Sequence, residues 1–270
     1  MFFVWLRNLL FLVLFLFHPQ AWSARVFTVY AFLPWKGASQ LSDYGIKPIK
    51  VIYEEQMFTD GKIDKVKLNK IAQDSFVAED IPVSFDIELG NRFKPETVLP
   101  IVQNLLQTYA ELKPKSLTGV YGILPQNTYS WKSNTETYDA LNEKYKSLIN
   151  YVDFISPVLY NYDGKNLQAW AKSASYAMKA AKKYAAGKPI IPYISPIITL
   201  RSLDKIKNGT LVEELDEESM ATRLQILYDL GASGCIIWAS SQNRTKEGQF
   251  PLFDPGKAWG RAVVTFIKSH

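Results

Sequence analysis

Seven short runs rich in Val, Ile, Tyr and Phe recur along the chain, at 26–32, 48–53, 82–88, 117–124, 154–160, 189–194 and 234–238. Between them lie stretches whose apolar residues fall three and four apart, at 65–73, 95–112, 139–150, 166–186 and 217–230. Parallel strands can be joined only by long crossovers, which are usually helices, so this alternation predicts an α/β protein with a helix-covered parallel sheet. Pro95 suits a first helical turn, and Gly187 and Gly231 suit helix stops. No Pro-, Gly- or Ser-rich linker divides residues 24–270, so a single domain is expected. Seven or eight strand–helix units in a chain of 270 residues is the size of a (β/α) barrel. The competitor, a doubly wound open sheet, would bring a phosphate-binding glycine loop, and no GxGxxG or Walker pattern follows any of these strands.

Composition narrows the chemistry more than the fold. With 47% hydrophobic and 21% charged residues, the chain is an ordinary globular one. The formal charge of +5 is spread along it, which leans weakly toward an anionic partner and gives no argument for nucleic acid. Of the two histidines, His18 lies in the hydrophobic N-terminal stretch and His270 is the last residue. The body therefore has no internal imidazole for a Ser-His-Asp or Cys-His nucleophile, an HExxH metal site or a histidine base. Cys235 is the one cysteine, so neither an intrachain disulfide nor a cysteine zinc site can form. No metal and no cofactor is expected, and acid–base work falls to carboxylates, tyrosines and lysines.

Residues 1–23 read as a Sec-type signal peptide. Arg7 precedes an apolar core from Asn8 to Phe17, and Ala21-Trp22-Ser23 supplies small residues at the positions that signal peptidase reads. Cleavage after Ser23 would leave residues 24–270 as a secreted or periplasmic protein. The competing reading is an uncleaved anchor over Asn8 to Ala24; no other membrane contact is implied. Export without disulfides suits a bacterial periplasm or secretome.

A barrel carries its active residues at the C-terminal ends of its strands. Read there, the chain shows Tyr30 and Phe32 through Trp35, then Asp86 and Glu88, Tyr121, Tyr160-Asn161-Tyr162-Asp163, Tyr193, and Trp238 with Gln242 and Asn243 just beyond. Trp and Tyr faces mixed with Asn, Gln and Asp are what a carbohydrate cleft needs, since sugar rings offer apolar C–H faces and polar edges. Asp86 and Glu88 are two apart on a strand, so they share one face at about 6.5–7 Å along the backbone. Two buried carboxylates cannot both ionise cheaply, so one pKa should rise, giving the protonated acid that glycosidic cleavage requires. The alternative is a solvated or salt-bridged pair with Arg92 as partner.

Several segments together resemble the hyaluronidases, glycoside hydrolase family 56, whose distorted barrel has seven strands. Val29-Tyr30-Ala31-Phe32-Leu33-Pro34 is similar to that family's opening strand, and Phe85-Asp86-Ile87-Glu88 to its Asp-Trp-Glu strand. Gly119-Val120-Tyr121-Gly122, Ser156-Pro157-Val158-Leu159-Tyr160 and Pro189-Ile190-Ile191-Pro192-Tyr193 follow its later strands. The most specific match is Leu230-Gly231-Ala232-Ser233-Gly234-Cys235-Ile236-Ile237-Trp238. The resemblance implies that Glu88 is the general acid and base, and that Asp86, assisted by Tyr160, orients the substrate N-acetamido group. Tyr121, Tyr193 and Trp238 would shape the sugar pocket, with Tyr30, Asn161 and Gln242 as further binding residues. The implied mechanism is substrate-assisted, with the acetamido oxygen as nucleophile. The implied substrate is a polysaccharide containing N-acetylhexosamine, hyaluronan- or chondroitin-like.

The chain departs from the family around the pocket. After Glu88 it has Leu89-Gly90-Asn91 in place of the family's Glu-Trp, and Leu124-Pro125-Gln126-Asn127-Thr128-Tyr129 lacks an acid and a cysteine. These losses bear on the substrate more than on the acid pair. Two other readings stay open. One is a catalytically silent carbohydrate-binding barrel. The other is a two-carboxylate glycosidase acting on chitin or peptidoglycan, with Asp163 or Asp153 as the second acid.

Overall fold

The computed structural model describes residues 26–35, 38–200 and 209–270. The expected signal segment, with His18, lies outside them. Seven strands form the barrel: β1 (Thr28–Phe32), β2 (Lys50–Ile52), β3 (Val83–Phe85), β4 (Thr118–Val120), β5 (Val158–Leu159), β6 (Tyr193–Ile194) and β7 (Gly234–Trp238). All seven fall within the runs expected from sequence.

The ring closes entirely through parallel pairings. β1 runs in register with β7 from Thr28↔Gly234 to Phe32↔Trp238. Its other edge pairs with Lys47–Pro48, directly ahead of β2. β2 pairs with β3 and β3 with β4. The step from β4 to β5 is made by the single bridge Tyr121↔Ser156. β5 then pairs with β6, and β6 with β7. The result is a distorted seven-stranded (β/α) barrel.

Helices α1 (Lys65–Val77), α2 (Pro95–Glu111), α3 (Glu136–Tyr145), α4 (Leu167–Tyr184) and α5 (Glu217–Asp229) fill the crossovers from β2 onward, and α6 (Ala258–Ser269) follows β7. Between β1 and β2 the described residues form the 3-10 turn Ala38–Tyr44 ahead of Lys47–Pro48. Local sequence explains the helix starts. Asp64 accepts the backbone N–H groups of Val66 and Lys67, and Asn166 and Asp216 accept those of Ala169 and Ser219. Pro95 opens α2, and Gly187 and Gly231 take positive φ after α4 and α5.

Alternation along the strands sorts side chains to two sides. Val29, Ala31, Ile155, Leu159, Ile194, Cys235 and Ile237 join the core under α4, α5 and α6. Val83, Phe85, Ile87 and Val120 join that under α1 and α2. The intervening residues Tyr30, Phe32, Val51, Tyr53, Tyr121, Phe154, Val158, Tyr160, Tyr193, Ile236 and Trp238 pack together as the barrel interior. Each fully buried large apolar side chain contributes roughly 1.5–3 kcal/mol, so a one-residue slip of any strand is strongly opposed. The interior is tight enough at one point to require glycine: a Cβ on Gly119 would lie 2.3 Å from the Phe154 ring.

Beside the C-terminal ends of β6 and β7 stands a small sheet that the sequence reading did not anticipate. Ile197–Thr199 pairs antiparallel with Thr210–Glu214, which pairs parallel with Asn243–Arg244.

Candidate active site

Strand parity brings Asp86 to the inside of the barrel mouth. Phe85 and Ile87 on either side are fully buried against the helices, so Asp86 faces the interior. The ladder continues one residue past β3, where the Asp86 N–H donates to the Ile52 carbonyl at 2.9 Å. Beyond it the Glu88 N–H has a different partner, the carboxylate Oε1 of Glu54 at 2.6 Å. Asp86 is largely buried while Glu88 is exposed.

Burial raises the Asp86 pKa from 3.8 to about 7, and the neighbouring negative charge of Glu88 adds to the rise; Arg92 opposes it. The protonated carboxyl expected of this pair is thus held by Asp86. Its Oδ1 is buried without a hydrogen-bond partner. Arg92 is not its ion-pair partner: the guanidinium donates to the carbonyls of Ile87, Tyr121 and Gly122 at 3.0, 3.3 and 2.7 Å. This corrects the salt-bridged alternative. Arg92 braces the chain turns that follow β3 and β4 and acts on Asp86 only through its field.

An aromatic enclosure surrounds the acid. Tyr160 stacks on Trp238 with ring centroids 5.5 Å apart and planes at 20°. Tyr121 lies 6.0 Å from Tyr160 and edge-on to Tyr193 at 5.1 Å. The phenols of Tyr160 and Tyr162 lie close to that of Tyr121, and Asn127 Nδ2 donates to the Tyr162 hydroxyl at 2.8 Å. Desolvation raises the pKa values of Tyr121, Tyr160 and Tyr193, with a further push from the charge of Asp86, so these phenols stay neutral donors. Tyr193 is fully buried beneath the others, its hydroxyl facing Ser84 without a well-formed hydrogen bond.

From the Tyr160–Trp238 stack an open cleft of about 790 Å³ runs away from Asp86, over Asn161, Asp163, Ser195, Ile197 and Asn243 among others. The acid pair does not line this cleft; the stack is where the two meet. Neutral polar groups and aromatic faces dominate its wall, a surface suited to hydroxyl-rich ligands.

The remaining expected residues fall at different distances from this centre. Tyr30 is registered with Ile236, two residues below Trp238, so it packs in the interior beneath the rim, and Phe32 stands level with Trp238. Asn161 borders the cleft, but both ends of its amide are engaged by protein: Nδ2 donates to the Ser195 and Ile197 carbonyls, and Oδ1 accepts from Arg223. Gln242 is exposed on the turn beyond β7, and its neighbour Asn243 lines the cleft instead. Asp163 also lines the cleft and accepts the Trp131 N–H at 3.2 Å. Asp153 sits at the opposite end of the barrel, where its carboxylate accepts the N–H of Thr118, the first residue of β4. That position removes Asp153 as a second catalytic acid.

Two residues of the site were absent from the sequence reading. Tyr53 follows β2 and accepts the Trp238 indole N–H at 3.0 Å. The strand-end rule that selected Tyr160 and Tyr193 would have selected it too. Glu54, next in sequence, lies in a 3-10 turn and carried no spacing signal toward Glu88.

Known structures share this architecture. A bee venom hyaluronidase in complex with a hyaluronic acid tetramer superposes with a TM-score of 0.56 at 14% identity, covering 80% of this chain and 91% of that one. A monoclinic crystal form of bee venom hyaluronidase gives a TM-score of 0.52 at 15% identity, with the same coverage. An endo-1,4-β-D-mannanase from Thermotoga petrophila, with maltose and glycerol, gives 0.52 at 17% identity over 86% of this chain and 78% of that one. The likeness establishes the barrel fold. No family model matches the chain, and no curated protein matches it. Among the described residues no group of three or more His, Cys, Asp or Glu side chains is placed to hold a metal ion.

Proposed function

We propose that this protein is an exported glycoside hydrolase that cuts a polysaccharide at N-acetylhexosamine residues, hyaluronan- or chondroitin-like, with Glu88 as general acid and base. The observation that carries the reading is the position of Asp86 at the C-terminal end of β3, among tyrosines that end in the Tyr160–Trp238 stack, with the exposed Glu88 two residues on and coupled to it by charge. The structural likeness to bee venom hyaluronidase supports the fold on which this rests. Export rests on the composition of residues 1–23.

In this reading a sugar ring lies on the aromatic platform with its acetamido group toward Asp86. The pair holds one proton, and with Asp86 ionised it is Glu88, exposed at the mouth, that gives this proton to the glycosidic oxygen as the bond to the anomeric carbon breaks. The acetamido oxygen attacks that carbon from the opposite face, forming a cyclic oxazolinium. Asp86 receives the acetamido N–H and balances the positive charge that develops, and Tyr160 hydrogen-bonds the same group. Glu88, now ionised, takes a proton from water as that water opens the ring, so configuration is retained after two inversions. The scheme needs one enzyme acid and no enzyme nucleophile, in keeping with a body that has no internal histidine.

The test is reducing-end release by residues 24–270 from hyaluronan, chondroitin, chitin oligomers and peptidoglycan, with Glu88→Gln alongside. Release from an N-acetylhexosamine polymer that falls at least about 10²-fold in Glu88→Gln supports the reading, given the usual size of general acid–base contributions. Cleavage that is indifferent to N-acetylation would point to two enzyme carboxylates. Inertness on all four, with one polymer still raising the melting temperature, would replace the hydrolase with a carbohydrate-binding barrel.

A further inference from the structure

Arg223 in α5 is only 1% exposed, yet no carboxylate lies within ion-pair distance of it among the described residues. Burial lowers its pKa to about 10, opposed by the more distant charge of Asp216, so it remains a cation at neutral pH. A buried charge of this kind is costly unless its surroundings solvate it. Here the guanidinium lies 5.1 Å over the Trp170 ring, its Nη1 donates to the Ser219 carbonyl at 3.0 Å, and its Nε donates to Asn161 Oδ1 at 3.1 Å. Nη2 has no partner.

The Asn161 amide has only one orientation that fits. Its NH₂ end faces two carbonyls, Ser195 at 2.9 Å and Ile197 at 2.7 Å, so its oxygen must face the guanidinium. One side chain thereby joins three elements: the segment after β5, the segment after β6, and α5. Asn161 lies between Tyr160, which stacks on Trp238, and Tyr162, whose hydroxyl accepts from Asn127. Ser195 and Ile197 form the adjoining cleft wall. From the other side, Trp170 Nε1 donates to the Leu159 carbonyl at 2.9 Å, so the ring beneath Arg223 also holds the chain just ahead of Tyr160.

We infer that Arg223, acting through Asn161, is the positioning residue that sets the Tyr160 platform against the Ser195–Ile197 wall of the cleft. The inference deepens the proposed function, since it takes that platform to be where the sugar ring rests. Neither side chain reaches a ligand: both ends of the Asn161 amide are engaged by protein, and Arg223, its unpaired Nη2 included, is buried below it. Their part is to keep the stack and the wall in one arrangement, and misplacement of such elements by about 1 Å can cost on the order of 10²-fold in rate. Lysine cannot take over, because it lacks the planar fork that lies on an indole while donating sideways to an amide.

The test compares wild type with Arg223→Met, Arg223→Lys and Asn161→Ala, all as residues 24–270. Near-ultraviolet circular dichroism reads the Tyr160–Trp238 stack without any ligand, with Trp238→Phe assigning that signal. The expected result is loss of the stack signal in Arg223→Met and Asn161→Ala, and no recovery in Arg223→Lys. The double variant should be no worse than either single one, as befits one unit. On a cleaved polymer, KM should rise about tenfold or more while the pH profile keeps its shape. An unchanged stack signal in folded Arg223→Met and Asn161→Ala would overturn the inference, as would full rescue by lysine. If wild type cuts no polymer, the hydrolase reading fails alone, because the spectral comparison still decides the role of Arg223.

Discussion

The indole N–H of Trp238 donates to the Tyr53 hydroxyl at 3.0 Å, joining the end of the last barrel strand to the end of the second across the barrel mouth. β1 lies between these two strands in the ring, and its Phe32 sits edge-on to Tyr53 at 6.1 Å. The Trp238 ring is therefore held at its edge by Tyr53 and on its face by Tyr160. Tyr53→Phe keeps the packing and removes only the acceptor, leaving a part-buried donor unpaired. The expected loss is about 1–2 kcal/mol of stability by urea denaturation. Substrate KM should rise several-fold with kcat little changed, because the platform binds without entering the chemistry.

Gly119 meets a steric demand of the interior. Its added Cβ would sit 2.3 Å from the Phe154 ring, and Phe154 is itself fully buried. Gly119→Ala forces the ring or the strand to move, at an expected cost of about 1–3 kcal/mol. Phe154→Leu in the same background should recover part of that loss. Additive destabilisation by the two changes in thermal denaturation would show that the contact is not what excludes a side chain at 119.

The fold was legible because seven short runs rich in Val, Ile, Tyr and Phe alternate with stretches whose apolar residues fall three and four apart, the pattern of a helix-covered parallel sheet. Elements whose stability comes from a distant partner were not. α6 contains Gly260 and the β-branched pair Val263-Val264, which argue locally against a helix, and packing on α5 overrides them. The Thr210–Glu214 strand ends in two glutamates and exists because Ile197–Thr199 lies beside it. At the site, Asp86 and the stacking aromatics were visible from strand ends. The engagement of Asn161 was not, because an asparagine at a rim and an asparagine used as a strut look alike until Arg223, 62 positions away, is brought beside it. Arg92 misled for a related reason: sequence nearness to two acids suggested an ion pair, while three backbone carbonyls lay closer.

Glu54 holds the amide of Glu88 at 2.6 Å, and its own place is set by the turn around it, where the Tyr53 N–H donates to Gln56 Oε1 at 3.0 Å. A carboxylate accepting a backbone N–H forms one of the stronger hydrogen bonds. Glu54→Gln retains an acceptor of the same length, and Glu54→Ala removes it. Activity on the cleaved polymer should fall about tenfold in Glu54→Ala, mainly in kcat, and much less in Glu54→Gln. Equal losses in the two would assign the effect to the charge of Glu54 acting on Asp86 rather than to its hold on Glu88.

Asp86 makes the folded state sensitive to pH in a direction that can be worked out. Its folded pKa of about 7 lies above its ordinary value of 3.8, so ionising it is harder in the fold than in the unfolded chain. The stabilisation linked to its proton is complete below pH 3.8 and is lost as pH rises through about 7. That loss is bounded at roughly 2–4 kcal/mol, and some relaxation around a half-open barrel mouth reduces it. Asp86→Asn cannot ionise, so relative to wild type it should gain stability between pH 4 and pH 8 in urea denaturation. Curves that stay parallel over this range would show that the acid is not desolvated as the geometry implies. In catalysis the ionised form is the one that accepts an acetamido N–H. The acid step also needs Glu88 protonated, so the active form carries one proton on the pair; cleavage should therefore fall as pH rises through about 7, and Asp86→Asn should lose that limb along with most of its rate. A variant that kept the limb would move the titrating group elsewhere and leave Asp86 with a structural part only.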